Sequence, residues 1–372
     1  MSEYIVFVSK DHYNPLGIVR TLGEAGIRPI VVVVKSEPQL VSKSRYVKEK
    51  YIVNSPEEGI QLIISKYAVS KTDKSYILTG DDVTVMTLDN HYDELKDYFY
   101  FYNAGETGRI KKYMNKDILC DLAARNGFNV AKTWKIHPGD IPEDIEYPVI
   151  TKAINSFGAE WKDIVSICHN KKELLEAHSK IKSEYVILQR LINKVDEVSF
   201  DGISINRGKD FIIIQECRQE YAIEGNYSPY WNVSNSHNED FNRIAAGMLS
   251  EIGLEGIFEF EFMVDEDGQL WFLEINFRNT VLGWVTTVAG MPQVILWCDA
   301  MKNGSFSGNW YREIPAGFKA MAECFDYDAR VKTGLISKRE WMKQYKGAEA
   351  KLYKGRDDFA PFFSFMWHKL TR

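Results

Sequence analysis

The chain has 372 residues, too many for one ordinary hydrophobic core, so two or three subdomains are expected. Its 45% hydrophobic and 26% charged residues are ordinary for a folded soluble protein, and a formal charge of −6 argues against a general nucleic-acid or membrane surface, which needs a basic face. Five dispersed cysteines, Cys120, Cys168, Cys217, Cys298 and Cys324, form no CxxC pair and read as reduced thiols of a cytoplasmic protein, not as a zinc site or a disulfide framework.

Residues 4–8 (YIVFV) and 30–34 (IVVVV) are short β-branched runs, the pattern of parallel strands buried on both faces. The first run is too short for a signal peptide, and no stretch approaches the length that spans a membrane. Between them a helix is entered near Pro15 and closed by Gly26, which makes a βαβ unit. A strand at 51–53, a helix from Pro56 to Tyr67 and a strand at 76–79 followed by Gly80-Asp81-Asp82 continue the alternation. The first hundred residues therefore predict a small doubly wound α/β domain. Its first turn, KDHYNPLG, lacks GxGxxG and is not read as a dinucleotide site.

From Asn115 the pattern changes. Asn115 caps a helix with Ile118, Leu119, Leu122 and Ala123 at helical spacing, and Gly127 closes it. Lys116 in its first turn opposes the macrodipole, so it is either a solvated surface lysine or sits near an anion. A β-loop-β-α-β run follows: strand 147–154 with Lys152 embedded in it, loop 155–162 (NSFGAEWK), strand 164–168, a helix capped by Asn170, and strand 185–188. A lysine inside an apolar strand needs an anionic partner if buried, or else a face open to water. The loop around Gly158 can present backbone N–H groups to phosphate oxygens. Beyond QRLI (189–192) and Glu197, strands at 198–205 and 211–215 are joined by an Asn206-Arg207-Gly208 turn, and the Tyr-, Asn- and Ser-rich segment 220–237 reads as a mobile loop over a site.

A helix at 239–252 then leads into GIFEFEFMVDEDGQLWFLEINFR, residues 256–278. Asp267-Gly268 suits a two-residue type I′ turn, so strands 258–266 and 269–277 should pair as a hairpin, the alternative being a one-residue bulge at Gly268 that shifts the register. In that register Phe258, Phe260, Phe262, Val264, Trp271, Leu273 and Ile275 share one face, while Glu259, Glu261, Glu274 and Asn276 share the other, with Glu261 opposite Glu274. Directly opposed carboxylates destabilise a sheet by about 0.2–1 kcal/mol. Either a hard cation such as Mg²⁺ offsets this or the acids form a solvated face.

The order Lys116, Lys152, a glycine-containing loop, QRLI, Glu197, Glu261 and then FLEINFR resembles the ATP-grasp superfamily over about residues 1–300, in particular proteins similar to the carbamoyl-phosphate synthetase large chain and biotin carboxylase. The resemblance implies an α/β domain over 1–102, a two-lobed ATP-grasp domain with antiparallel sheets over 103–300 whose lid covers about 128–190, and a C-terminal extension over 301–372. It further implies that Lys116 and Lys152 contact ATP phosphates and that the loop with Gly158 and Lys162 closes over them. Gln189, Arg190, Leu191 and Ile192 would lie along adenine, and Glu197 would hold the ribose. Glu261, Glu274 and Asn276 would bind one or two Mg²⁺, with Mn²⁺ as an alternative ion, and Arg278 would stabilise the acyl phosphate and tetrahedral species. Glu259 has no counterpart in the resemblance and is taken as a bystander.

The implied activity is an ATP- and Mg²⁺-dependent ligation of a small amino-acid- or peptide-like carboxylate to an amine, or to a thiol, forming a C–N bond in the amine case with ADP and phosphate as products. The alternatives are a non-catalytic nucleotide-binding protein and a kinase-like member without ligation. The expected partners are small molecules, with neither nucleic acid nor membrane. Asn279, Thr280 and Trp284 are candidates to face the substrate. The aromatic tail DFAPFFSFMWHKLTR is expected to pack on the chain's own domains, the alternatives being a homodimer contact and a membrane surface.

Overall fold

Two β-branched runs make the centre of a parallel sheet in the computed structural model, which describes residues 2–36, 39–153, 165–181, 183–222 and 228–371. The strands are β1 (Tyr4–Val8), β2 (Ile30–Val34), β3 (Glu49–Val53), β4 (Ser75–Leu78) and β5 (Phe99–Phe101), all parallel in the order β3-β2-β1-β4-β5. Helices α1 (Tyr13–Glu24), α2 (Pro56–Tyr67), α3 (Asp82–Asn90) and α4 (Tyr92–Leu95) connect them. Residues of β1 and β2 are buried on both faces, as an uninterrupted apolar run requires. Helix α2 starts where Ser55 accepts from the Glu58 N–H at 3.1 Å and Pro56 occupies the first turn. Short α5 (Arg109–Tyr113) leads into α6 (Lys116–Asn126), capped by the Asn115 side chain and closed by Gly127 in the left-handed conformation (φ 109°), as its sequence predicts.

The chain divides into two units, one made of Met1–Gly127, Asp196–Phe262 and Leu273–Arg372, the other of Phe128–Val195 and Met263–Phe272. In the smaller unit β6 (Thr133–Ile136), β7 (Val149–Ala153), β8 (Ser166–Cys168) and β9 (Val186–Arg190) form an antiparallel sheet in the order β6-β9-β7-β8. Helix α7 (Lys171–His178), capped by Asn170, contributes Leu174 to a core with Val149, Cys168 and Leu188.

The larger unit carries a seven-stranded sheet in the order β14-β13-β10-β11-β12-β15-β16. Its strands are β10 (Lys194–Ile205), β11 (Asp210–Gln219), β12 (Tyr230–Ser234), β13 (Gly256–Asp265), β14 (Leu270–Asn276), β15 (Lys319–Met321) and β16 (Ala350–Lys351). Helix α8 (Glu239–Ile252) covers the apolar face. Phe241 stacks on Phe200 at 4.0 Å and meets Phe260 and Phe262 edge-on, and Phe258, Phe260 and Phe262 are fully buried. Each such phenylalanine contributes roughly 1.5–3 kcal/mol. Helices α9 (Gly283–Val288) and α10 (Gln293–Asn303) pack with α1, and α11 (Glu323–Asp326), α12 (Lys338–Gly347) and α13 (Ala360–Leu370) complete the chain.

Two expectations change. Residues 230–234, expected within a mobile loop, form β12, which pairs with β11 and β15 and buries Tyr230, Trp231 and Val233. Alternating Tyr-Trp-Asn-Val-Ser is a strand pattern that the surrounding polar residues obscure. The β13–β14 turn is also not type I′. Gly268 N–H bonds Asp265 O at 3.0 Å, Asp265 N–H bonds Gln269 O at 3.1 Å, and Gly268 alone is left-handed (φ 78°), so a type I turn is followed by a one-residue bulge. The β13 half of the predicted apolar face is buried, as is Ile275. Trp271 and Leu273, however, are only half-buried, and Phe272 is buried in their place.

Candidate functional site

The alternation FEFEF sends phenylalanines to α8 and Glu259 and Glu261 to the opposite face of β13. Asn276, near the end of β14, lies against both acids. Its Nδ2 donates to Glu259 Oε2 at 3.0 Å and to Glu261 Oε1 at 2.8 Å, while its Oδ1 accepts from Arg278 Nη2 at 3.0 Å. Glu259 is therefore a member of the cluster, not a bystander, and at 4% exposure it is a buried acid. Glu274 is half-buried and meets Lys116 Nζ at 3.1 Å. The anion beside the misplaced helix-start lysine is thus one of the chain's own hairpin acids. Such an exposed pair is worth only about 0.2–1 kcal/mol.

Burial and mutual repulsion make Glu259 and Glu261 hold their protons more tightly. Glu259 is pushed up to about 8, chiefly by burial and then by Asp201, and Glu261 is raised well above the usual range by burial, Glu259 and Glu274. Asp201 on β10 was missed in the sequence. It is fully buried, accepts from Gln215 Nε2 at 3.0 Å and Thr280 Oγ1 at 3.2 Å, and rises to about 7 through burial and the neighbouring Glu261. Arg278 supplies the positive charge on this face. Burial works against its charge, but Asp82, Glu259 and Glu261 more than offset this, and its Nε and Nη2 grip Asp82 at 2.6 and 3.3 Å. Glu197, Ser199, Gln219, Glu259, Glu261 and Leu273 line a cleft of about 130 Å³, where Gln219 donates to Glu197.

Among the described residues, no three His, Cys, Asp or Glu side chains are disposed to hold a metal by themselves. The set Glu261, Glu274 and Asn276 offers the hard carboxylate oxygens of two acids, while the Asn276 amide turns its Nδ2 to Glu261 and its Oδ1 to Arg278. Mg²⁺, which takes one or two protein carboxylates and fills its octahedron with water and phosphate oxygens, fits such a set.

In the smaller unit, Lys152 lies on β7 opposite Ile187, and Gly158 and Lys162 fall outside the described residues. Gln189 and Arg190 end β9, with Leu191 and Ile192 following. Arg190 N–H bonds Lys132 O at 2.9 Å and Leu191 N–H bonds Pro148 O at 3.1 Å, so two of the expected adenine-facing donors are already engaged. Gln189 Nε2 donates to Thr133 Oγ1 at 2.9 Å. The proposed substrate-facing residues turn inward instead: Asn279, Thr280 and Trp284 are buried, because the segment after Arg278 is clamped by Asp201 on Thr280 and by the Asn14 carbonyl on Asn279.

No family model matches the chain. The 2-oxoglutarate carboxylase small subunit of Hydrogenobacter thermophilus is 26% identical over 171 residues, 42% of this chain and 35% of that protein, so the likeness spans about a third of the relative's length. Among solved structures, N5-carboxyaminoimidazole synthetase from Staphylococcus aureus complexed with ADP matches with a TM-score of 0.68 at 16% identity, covering 88% of this chain and 85% of that one. L-amino acid ligase from Bacillus licheniformis matches at 0.63 and 14%, covering 86% and 78%. The biotin carboxylase domain of the Hydrogenobacter thermophilus 2-oxoglutarate carboxylase, in complex with MgADP, ADP and bicarbonate, matches at 0.61 and 20%, covering 85% and 73%. Likenesses at such identities are of fold: the chain shares the fold of these proteins.

Proposed function

We propose that the chain is an ATP- and Mg²⁺-dependent ligase that activates a small carboxylate as an acyl phosphate and joins it to an amine, releasing ADP and phosphate. The carrying observation is the hairpin cluster. Glu259 and Glu261 share one amide, that of Asn276, and face one cleft, where a cation would relieve the repulsion between them. The ADP-bound neighbours and the carboxylases and ligases among them support the same class of chemistry.

In this reading Glu261, Glu274 and Asn276 would hold the ion. Bound there, Mg²⁺ neutralises phosphate charge and polarises the phosphoryl group. Lys116 and Lys152 would neutralise phosphate oxygens, with Gly158 and Lys162 closing over them. Gln189, Arg190, Leu191 and Ile192 would lie along adenine, Glu197 would hold the ribose, and Arg278 would stabilise charge on the activated carboxylate. A carboxylate is too poor an electrophile to meet an amine unaided, so phosphorylation must precede attack. Positioning and charge neutralisation are then the protein's main work.

The test is ADP release with MgATP across a panel of amino acids and short peptides, offered singly and in pairs. ADP formation should depend on Mg²⁺ and rise with one acid–amine pair, and mass spectrometry should find the amide. Glu274→Ala and Asn276→Ala should each lower turnover by roughly 100-fold or more. Undiminished turnover in both variants would remove the ion-site assignment.

A further inference from the structure

Helix α13 is apolar on two sides. Its inner side is used by the chain: Pro361 is buried, Phe362, Phe365 and Met366 pack against the core, the Phe365 ring centre lies 4.4 Å from that of Tyr353, and Ser364 Oγ donates to the Gln39 carbonyl at 2.8 Å. Its outer side is not. Phe359 at the N-cap, Phe363, Trp367 and Leu370 follow one another at helical spacing and form one stripe, with exposures of 41, 66, 72 and 78%. A surface helix ordinarily carries polar residues on that side, and one that is apolar all round has to be covered.

The formal charge of −6 argues against a membrane for the chain as a whole, but that charge is unevenly spread. From Lys338, where α12 begins, to Arg372 there are nine Lys and Arg against four Asp and Glu. Lys354 and Arg356 are exposed in the loop that leads into α13, and Lys43 and Arg45 are exposed at the turn on which α13 packs. Among the described residues Arg356 meets Glu24, Arg45 meets Asp357, and Lys369 shares Asp328 with Lys332, while no carboxylate pairs with Lys43 or Lys354. The aromatic stripe is therefore flanked by surplus positive charge.

Size and charge together choose what covers it. The stripe is about 17 Å long and one helix wide, on the order of 200 Å², against the roughly 800 Å² per partner of a specific protein interface. A second copy related by a twofold axis would also set one basic flank against another. An anionic lipid surface meets neither difficulty, since it accepts a short helix lying in its plane with Trp, Phe and Leu at the acyl boundary and Lys and Arg at the headgroups. At about 17 Å the helix is too short to span a hydrocarbon core of about 30 Å. We infer that α13 is a docking helix by which the chain lies on an anionic lipid surface, with Phe363, Trp367 and Leu370 entering the headgroup boundary and Lys43 and Lys354 meeting acidic headgroups. None of these residues belongs to the proposed ATP site, so the inference stands apart from the ligase reading.

The test is co-sedimentation of the full chain with phosphatidylcholine vesicles, with and without about 30 mol% phosphatidylserine, at low and at high salt. Wild type should sediment with the anionic vesicles at low salt, come off them at high salt and stay off the neutral ones. Phe363→Ser combined with Trp367→Ser should weaken binding by roughly tenfold or more, and Trp367→Phe, which keeps an aromatic ring, should retain most of it. Lys43→Glu combined with Lys354→Glu should also weaken it by roughly tenfold or more, since each lysine near such a surface is worth roughly fivefold. All four side chains are exposed, so the unfolding midpoints should match wild type. A wild type that stays off the anionic vesicles would overturn the inference, as would either double variant binding them like wild type. Self-association in sedimentation velocity that the Phe363→Ser/Trp367→Ser variant loses, with no vesicle binding by wild type, would overturn it in favour of a second copy of the chain.

Discussion

Asp201 has its oxygens held by the neutral donors of Gln215 and Thr280, and its carboxyl rises to about 7 because burial penalises its charge and Glu261 repels it. The folded chain therefore keeps a proton that the unfolded chain gives up near 3.8. That stabilisation is complete below the unfolded value and is lost as pH climbs through about 7. Urea unfolding of the Mg²⁺-free protein should show stability falling between about pH 5 and about pH 8, and Asp201→Asn should flatten the slope. Glu259, raised to about 8, keeps a residual slope of the same sign. An Asp201→Asn slope equal to wild type would show that this group does not carry the dependence. The acid face of β13 was legible because FEFEF has a period of two, whereas Asp201 was not. A lone acid in DEVSFDG looks like any surface residue until β10 is laid beside β13.

At the scale of elements, Asp267-Gly268 shows the limit of local turn chemistry. The same dipeptide serves as the centre of a type I′ turn or as the last two residues of a type I turn with a bulge, and only the strand pairing decides. The observed form needs positive φ at Gly268 and not at Asp267. Gly268→Ala should therefore cost about 1 kcal/mol in chemical unfolding, and Asp267→Ala less than about 0.5 kcal/mol. Equal costs at both positions would restore the type I′ turn. Helices α6 and α7 were readable to their caps because Asn115 and Asn170 each satisfy an N–H of the first turn. Strand β12 was not, since its pairing with β15 joins residues about ninety apart in the chain.

For the whole molecule, the C-terminal segment closes on the N-terminal helix through a buried ion pair. Arg20 Nε meets Asp358 Oδ2 at 3.2 Å with both side chains 1% exposed, and Arg20 also donates to the carbonyls of Leu352 and Tyr353, both at 2.7 Å. Glu323 accepts from the N–H groups of Leu352, Tyr353 and Lys354. Removing one partner leaves a buried charge, so Asp358→Ala should lose roughly 3–5 kcal/mol in denaturant unfolding, and a loss below about 1 kcal/mol would show the pair to be incidental. The aromatic tail does pack on the chain itself through Phe362, Phe365 and Met366, while Phe363, Trp367 and Leu370 stay exposed. Among the described residues no helix is long and apolar enough to cross a membrane.

What the sequence by itself determined is what repeats locally: β-branched runs for the parallel sheet, capped helices, the apolar and acidic faces of one hairpin strand, and the order of lysines, hinge and EINFR that resembles an ATP-grasp site. Tertiary structure alone decided which distant groups share that site. It placed Asp201 behind the acids, Lys116 on Glu274, and Asp82 beneath Arg278, a residue 196 positions away. The reason is physical. Periodicity reports which face of an element is buried, but charge pairing across elements depends on strand order and loop closure, which no short window of residues encodes.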